Sequence, residues 1–159
     1  PDSGAVRLKG ADIAEMPVSD IAKTVGLVFQ NPDTMLFAGT CEKEILFGIK
    51  NVGGSMTPEE ALTAVGLSGK AHVNPRHLSR GERQKLALAC VMATNQEVII
   101  MDEPTTGLDA RESFEVMKVL TAMRNAGKTI LMVTHNPVMA ERYADRIYRM
   151  DGGHAEEVL

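Results

Sequence analysis

Polar side chains that could handle a phosphate group follow three separate apolar runs of the sequence. Gln30 ends the first run, Asp102 and Glu103 follow the second, and His135 lies just beyond the third. Ligands of open parallel sheets bind beyond the carboxyl ends of the strands. If the three runs are parallel strands, an amide, two carboxylates and an imidazole should therefore surround one crevice.

The adjacent carboxylates suggest a division of roles. A carboxylate at the end of a buried strand suits a water-ligated Mg²⁺ ion, and a neighbour that points elsewhere suits a general base acting on water. We therefore assign Asp102 to the metal and Glu103 to the water. Considered alone, Asp102-Glu103-Pro104 could also be a turn that only closes the strand.

A second candidate site precedes the longest helical pattern, which runs from Ser79 to Thr94. In the segment Leu78-Ser-Arg-Gly-Glu82, the Ser79 hydroxyl, the free backbone amides around Gly81 and the positive end of the helix can bind an anion. Without further support, Ser79 would be an ordinary helix cap.

The elements that must position these residues follow from the apolar pattern. Val25–Phe29, Val98–Met101 and Thr129–Val133 are apolar runs without polar alternation, and the last two flank a helical pattern that stops at Gly127. Such runs predict parallel strands covered on both faces. The fold class is therefore α/β.

Shorter sequence patterns predict the remaining elements. Ala5–Lys9 alternates as a strand does, residues 40–78 form a helical insertion, and Arg146–Met150 with Ala155–Leu159 forms a hairpin around Asp151-Gly-Gly153. We predict one domain over residues 1–159.

The composition of the chain argues against nucleic-acid-binding proteins and against membrane-spanning proteins. The chain has 159 residues, 44% of them hydrophobic, and 17 Lys and Arg against 21 Asp and Glu give a net charge of −4. No general basic field is present, which argues against nucleic acid as a partner. No apolar run reaches the roughly 20 residues of a membrane-spanning helix.

The motifs together resemble the nucleotide-binding subunit of ABC transporters over nearly the whole chain. Val98-Ile-Ile-Met-Asp-Glu-Pro-Thr-Thr-Gly-Leu-Asp109 resembles the family's Walker B strand, catalytic glutamate and D-loop, and Leu78-Ser-Arg-Gly-Glu-Arg-Gln84 resembles its signature motif. Gln30 matches the Q-loop and His135 the switch histidine. Val25-Gly-Leu-Val-Phe-Gln-Asn-Pro-Asp33 is most similar to energy-coupling-factor ATPases that serve cobalt, nickel or vitamin uptake.

The resemblance implies ATP and Mg²⁺ as cofactors and in-line attack of water on the γ-phosphorus. Glu103 would orient the water, Asp102 and Gln30 would approach Mg²⁺, and Gln30 and His135 would contact the γ-phosphate. The nucleotide-binding residues of the signature motif and the D-loop would be Ser79, Gly81 and Asp109. Ser79 and Gly81 would act on a nucleotide held by a second ABC ATPase subunit, in a homodimer or a heterodimer.

The family also needs a phosphate loop of the form G-x-x-x-x-G-K-[ST]. Ala122–Thr129 lacks the first glycine and joins a helix to a strand, and Gly48–Ser55 has Gly54 in place of the lysine. We therefore expect a P-loop NTPase-like (ABC ATPase) domain that is N-terminally truncated and lacks its N-terminal strands and Walker A helix. Such a chain should bind ATP and Mg²⁺ weakly or not at all and should self-associate through exposed apolar surface.

Two alternatives remain open. A DNA-repair or chromosome-structure ATPase shares these motifs but needs coiled-coil heptads or a basic face, which the sequence lacks. The second alternative is a non-catalytic binding or assembly module derived from an ABC ATPase. The resemblance to ABC transporter subunits implies transmembrane permease subunits as partners and a cytoplasmic location, peripheral at the inner face of the cell membrane.

Overall fold

The computed structural model describes residues 3–159, and these form seven strands and six α-helices. The strands are β1 (Arg7–Leu8), β2 (Ala11–Asp12), β3 (Val25–Val28), β4 (Val98–Asp102), β5 (Thr129–Val133), β6 (Tyr148–Asp151) and β7 (His154–Glu157). The helices are α1 (Val18–Ala22), α2 (Cys41–Val52), α3 (Pro58–Ala64), α4 (Arg80–Thr94), α5 (Ala110–Asn125) and α6 (Pro137–Tyr143).

The central element is a parallel sheet with the strand order β3-β4-β5. Its register pairs Val28 with Met101 and Asp102 with Val133. Helices α2, α3 and α4 connect β3 to β4, and α5 connects β4 to β5. The α/β fold with a parallel sheet, predicted from the unalternating runs, is confirmed.

One face of the sheet packs on helices and the other does not. Val28, Ile99 and Met101 are fully buried in the core that includes α4 and α5. On the opposite face the side chains of Leu27, Phe29, Leu131 and Val133 are 43–56% exposed. The expectation that both faces are covered is wrong for this face, since no element within residues 3–159 shields these four side chains.

Side-chain caps fix where the helices begin. Ser79 caps α4 and Asp109 caps α5, each in a capping box with the glutamate three residues later. The second half of α4 enters the core, where Leu86 to Ala89 are fully buried. Helix α4 ends where Asn95 adopts the left-handed conformation.

The segment between β3 and the start of α4 is helical, as the pattern of residues 40–78 predicts. Helices α2 and α3 pack on α4 through buried side chains that include Ile45 and Leu62. Hairpins β1-β2 and β6-β7 lie at the two ends of the chain. None of the helices within residues 3–159 is both long and apolar enough to cross a bilayer.

Some elements differ from the sequence-based expectations. The single strand expected at Ala5–Lys9 is a two-residue strand, β1, paired with β2 around a turn in which Lys9 and Gly10 have positive φ. The C-terminal hairpin is shorter than expected. Helices α1 and α6 were not predicted, because five and seven residues are too short to show helical periodicity.

Candidate functional site

The predicted strand-end residues lie along one edge of the sheet. Asp102 is opposite Val133, two residues before His135, and Gln30 follows Val28 by two residues. Neighbouring strands are separated by about 4.8 Å. All three strand ends therefore lie at the same edge of the sheet, and a crevice that they share stays a prediction.

Glu103 connects the ends of β4 and β5. Its side chain is buried, its Oε1 accepts a hydrogen bond from the backbone N–H of His135 at 2.6 Å, and its Oε2 accepts one from Thr106 Oγ1 at 2.8 Å. The backbone of Glu103 has φ of +46°, which costs a non-glycine residue about 1 kcal/mol or more. Strain of this kind is typical of functional sites.

The imidazole of His135 is the exposed partner of this carboxylate. Its Nε2 lies 3.7 Å from Glu103 Oε1, and the His135 side chain is 97% exposed. A buried carboxylate beside a freely accessible imidazole can contact one small molecule together with it.

Asp102 and Gln30 provide oxygen ligands at the same edge. Both are exposed, and neither side chain takes part in a hydrogen bond or ion pair within residues 3–159. The described residues contain no group of three or more His, Cys, Asp or Glu that could hold a metal ion. One free carboxylate and one amide fit Mg²⁺, which typically keeps several waters and is shared with substrate phosphates.

The signature-like segment forms a second group of polar residues. Ser79 Oγ accepts a hydrogen bond from the backbone N–H of Glu82, and Glu82 Oε2 accepts one from the N–H of Ser79 at 2.9 Å. Lys70 Nζ lies 2.5 Å from Glu82 Oε1. The hydrogen bond from Lys70 and that from Ser79 hold the pKa of Glu82 below its usual range.

Gly81 packs against a neighbour that sequence reasoning missed. A Cβ at Gly81 would lie 2.5 Å from Glu112 Oε1, and Ser79 Oγ is 3.5 Å from the same oxygen. The N–H of Glu112 donates to Asp109 Oδ1 at 2.7 Å. The D-x-x-E pattern of a capping box was the available signal. Within residues 3–159, no hydrogen bond or ion pair connects this second group to the strand-end residues.

The loop after Gln30 is held by a buried carboxylate on α2. The side chain of Glu44 is 4% exposed and accepts a hydrogen bond from the backbone N–H of Ala38. One turn later, Phe47 packs edge-on against Phe37, with ring centroids 4.8 Å apart. Both rings are more than half exposed. Glu44 thereby fixes the loop that presents the aromatic pair.

We expect Glu44→Gln to leave stability at pH 7 unchanged or to raise it by up to about 1 kcal/mol. Burial raises the pKa of Glu44 above its ordinary 4.5, so the charged form costs stability at pH 7 and the cost disappears as pH falls through the raised value. The advantage of the Gln variant should therefore shrink by pH 4.5. Urea unfolding at both pH values measures this.

The matched variant Glu44→Ala should lose about 1–3 kcal/mol at both pH values, because the Ala38 N–H then lacks its acceptor. A Gln variant that is as unstable as the Ala variant at pH 7 would show that the carboxylate charge, not its oxygen, holds the loop.

Comparison with known proteins decides the family. The sequence profile described as ABC transporter matches residues 1–106, two thirds of the chain. The chain belongs to the ABC transporter family.

Two relatives carry more specific names. A protein of Methanosarcina mazei, described as a putative ABC transporter ATP-binding protein, is 50% identical over 164 residues, which cover 99% of this chain and 32% of that protein. The energy-coupling factor transporter ATP-binding protein EcfA of Methanocaldococcus jannaschii is 39% identical over 160 residues, covering 96% and 57%. The chain thus spans about a third to three fifths of the length of these relatives.

A solved structure agrees with the fold. Residues covering 98% of this chain and 65% of the other superpose on cbiO1 of Clostridium perfringens with a TM-score of 0.84 and 29% identity. That protein is described as part of the ABC transporter complex cbiONQ. The parallel sheet and its helices are therefore those of an ABC ATPase.

Proposed function

We propose that this chain forms the part of an ATP-hydrolysing ABC subunit that surrounds the γ-phosphate and that powers a membrane transporter. The proposal is carried by one observation. Glu103, which is buried and has a strained backbone, follows β4 and accepts a hydrogen bond from the N–H of His135, just beyond β5. The exposed side chains of His135, Asp102 and Gln30 lie at the same edge of the sheet.

The residues at this edge would divide the work of hydrolysis. Glu103 would orient the attacking water and accept its proton, while Gln30 and His135 would contact the γ-phosphate. Asp102 and Gln30 would hold Mg²⁺. When bound with ATP, Mg²⁺ neutralises charge that develops on the phosphoryl oxygens. Thr106 keeps the Glu103 carboxylate in place through its hydroxyl.

The second group of residues would serve a neighbouring subunit. Ser79, Gly81 and Asp109 would meet the nucleotide of a second ABC ATPase in a homodimer or heterodimer. In this chain the carboxylate of Glu112 lies beside Ser79, so it must turn away before a phosphate approaches.

The coupling surface and the transported substrate are also proposals. The loop after Gln30 and the Phe37–Phe47 pair would contact transmembrane permease subunits, at the cytoplasmic face of the membrane. The resemblance to energy-coupling-factor ATPases favours uptake of a metal ion or a vitamin. The name of the EcfA relative supports the resemblance to energy-coupling-factor ATPases.

The test adds a phosphate loop to the chain. The 159-residue chain alone should bind Mg²⁺–ATP only weakly and should not hydrolyse it, because its sequence has no phosphate loop. Joining a strand, a G-x-x-x-x-G-K-[ST] loop and a helix from an ABC ATPase to its N-terminus should create ATP turnover. We refer to this as the joined protein. A folded joined protein without ATP turnover would instead support the non-catalytic assembly module.

The exposed sheet face should make the isolated chain self-associate. Leu27 and Phe29 at one side of the sheet and Leu131 and Val133 at the other expose apolar side chains on one face, with Ile100 and Asp102 of β4 between them. Replacing Leu131 and Val133 by lysine should shift the sedimenting species toward monomer at the same concentration.

The control for this prediction is a lysine at Val138, which is 65% exposed on α6 and lies outside that face. We expect Val138→Lys to sediment as the unmodified chain does. A monomeric unmodified chain at about 50 μM, where exposed apolar segments normally associate, would refute the prediction.

A further inference from the structure

One guanidinium group contacts both of the segments assigned to the nucleotide. The side chain of Arg83, in the first turns of α4, places Nε 2.6 Å from Asp33 Oδ1. Its Nη1 donates a hydrogen bond to the backbone carbonyl of Leu78 at 2.5 Å. Asp33 is three residues beyond Gln30, and Leu78 immediately precedes Ser79. Arg83 therefore bridges the Gln30 loop and the signature segment.

The surroundings of this ion pair distinguish it from the pairs on the surface. The Arg83 side chain is 21% exposed, although its partner Asp33 is 56% exposed, whereas both members of the Lys9–Glu97 pair are about 60% exposed. Nη1 of this partly buried guanidinium donates a hydrogen bond to Leu78, while Nε is an ion-pair contact to Asp33 without hydrogen-bond geometry. The planar guanidinium holds both contacts in a fixed arrangement, which a lysine ammonium does with less precision. The contact between Arg83 and Asp33 can therefore transmit a displacement from one of these segments to the other, and it also stabilises the fold.

The loop side of the contact is itself rigid. Asp33 lies in the short 3₁₀-helix Pro32–Thr34, which Asn31 caps through its side chain. Pro32 is buried, and the 3₁₀-helix packs against α4. A movement of the backbone at Gln30 is therefore passed to Asp33 as a unit.

Glu82 does not compete for Arg83. Arg83 is adjacent to Glu82 in the sequence, but Glu82 is paired with Lys70 at 2.5 Å and with the Ser79 N–H. Arg83 is left to face Asp33 and the Leu78 carbonyl.

We propose that Arg83 is a positioning residue that fixes Ser79 relative to the Gln30 loop, so that a displacement of Gln30 moves the signature segment of the same subunit. The inference rests on the proposed function for the roles of Gln30 and Ser79. The physical link between the two segments is a property of the chain and is testable without nucleotide.

The experiment perturbs one segment and observes the other. Asp33→Asn in the 159-residue chain removes the charge that holds Arg83, at a distance of 46 residues along the sequence from Ser79. Amide exchange by NMR should become about fivefold or more faster at the N–H groups of Ser79 and Glu82, after correction for global stability measured by urea unfolding. The ¹⁵N shifts of the same amides should change.

Three further variants make the result specific. Asp33→Glu should restore exchange at Ser79 to within about twofold of the unmodified chain, because the charge is kept. Asp20→Asn, which breaks the exposed Lys23–Asp20 pair, should leave Ser79 and Glu82 unchanged. In Arg83→Lys, amide exchange at Ser79 should be faster than in the unmodified chain and slower than in Asp33→Asn, since lysine keeps the charge but lacks the planar guanidinium.

The outcome separates this inference from the proposed function. Unchanged amides at Ser79 in Asp33→Asn, or no rescue by Asp33→Glu, would overturn the inference whatever the ATPase assay shows. A clear response at Ser79 would support it. Failure of the proposed function would appear separately, as a joined protein that folds without hydrolysing ATP.

Discussion

Glu103→Gln should lower ATP turnover of the joined protein by at least about a hundredfold, the usual contribution of a positioned general base. The amide keeps nearly the shape of the carboxylate, and its oxygen can still accept the hydrogen bond from the N–H of His135. It cannot accept a proton from water. Binding of ATP should change by no more than about threefold, because Glu103 is assigned to water and not to the nucleotide.

The control for this prediction is Glu115→Gln on the first turns of α5, which removes the same charge away from the strand ends. Its turnover should equal that of the unmodified joined protein. If Glu103→Gln retained turnover within tenfold, another group would have to orient the water.

Gly26→Ala should cost about 2–4 kcal/mol of unfolding free energy, since it combines overpacking with damage to buried hydrogen bonds. Gly26 lies on β3 where α4 approaches the sheet. A Cβ there would lie 2.6 Å from Gln96 Oε1 and 2.7 Å from Val91 Cγ1. Gln96 cannot move freely, because its Nε2 donates to the Ala22 carbonyl at 2.7 Å and its Oε1 accepts from Thr94.

Urea unfolding measures this loss, and Gly39→Ala is the matched control. A Cβ at Gly39 meets nothing within 4 Å, so this variant should stay within about 0.5 kcal/mol of the unmodified chain. A Gly26→Ala variant of unchanged stability would mean that α4 does not pack on β3 as closely as described.

The sequence predicted the elements with strong local signals. Parallel strands followed from apolar runs without alternation, and the start of α4 followed from Ser79 as a helix cap; the structure adds Glu82, which completes a capping box. The edge that gathers Gln30, Asp102, Glu103 and His135 was predictable because parallel strands end on the same side.

Contacts between distant segments left no such signal. Glu112 lies over Gly81, and Asp33 pairs with Arg83, but each pair is joined only by the packing of separate elements. The apolar run of β5 did not by itself predict the exposed sheet face, since a strand covered on one side by helices and a strand covered on both sides have the same pattern. Exposed apolar surface was expected only from the lack of a phosphate-loop segment in the sequence. The two short helices carried too few residues to show a period.

The central claim is that Gln30, Asp102, Glu103 and His135 surround the terminal phosphate of a Mg²⁺-bound nucleotide. Mn²⁺ can replace Mg²⁺ at oxygen ligands and broadens nearby NMR signals steeply with distance. In the joined protein, Mn²⁺–ATP should erase the imidazole signals of His135 and the side-chain amide signals of Gln30. The signals of His72 and His154 should persist. Equal broadening of His72, His135 and His154, or an unaffected His135, would contradict the account.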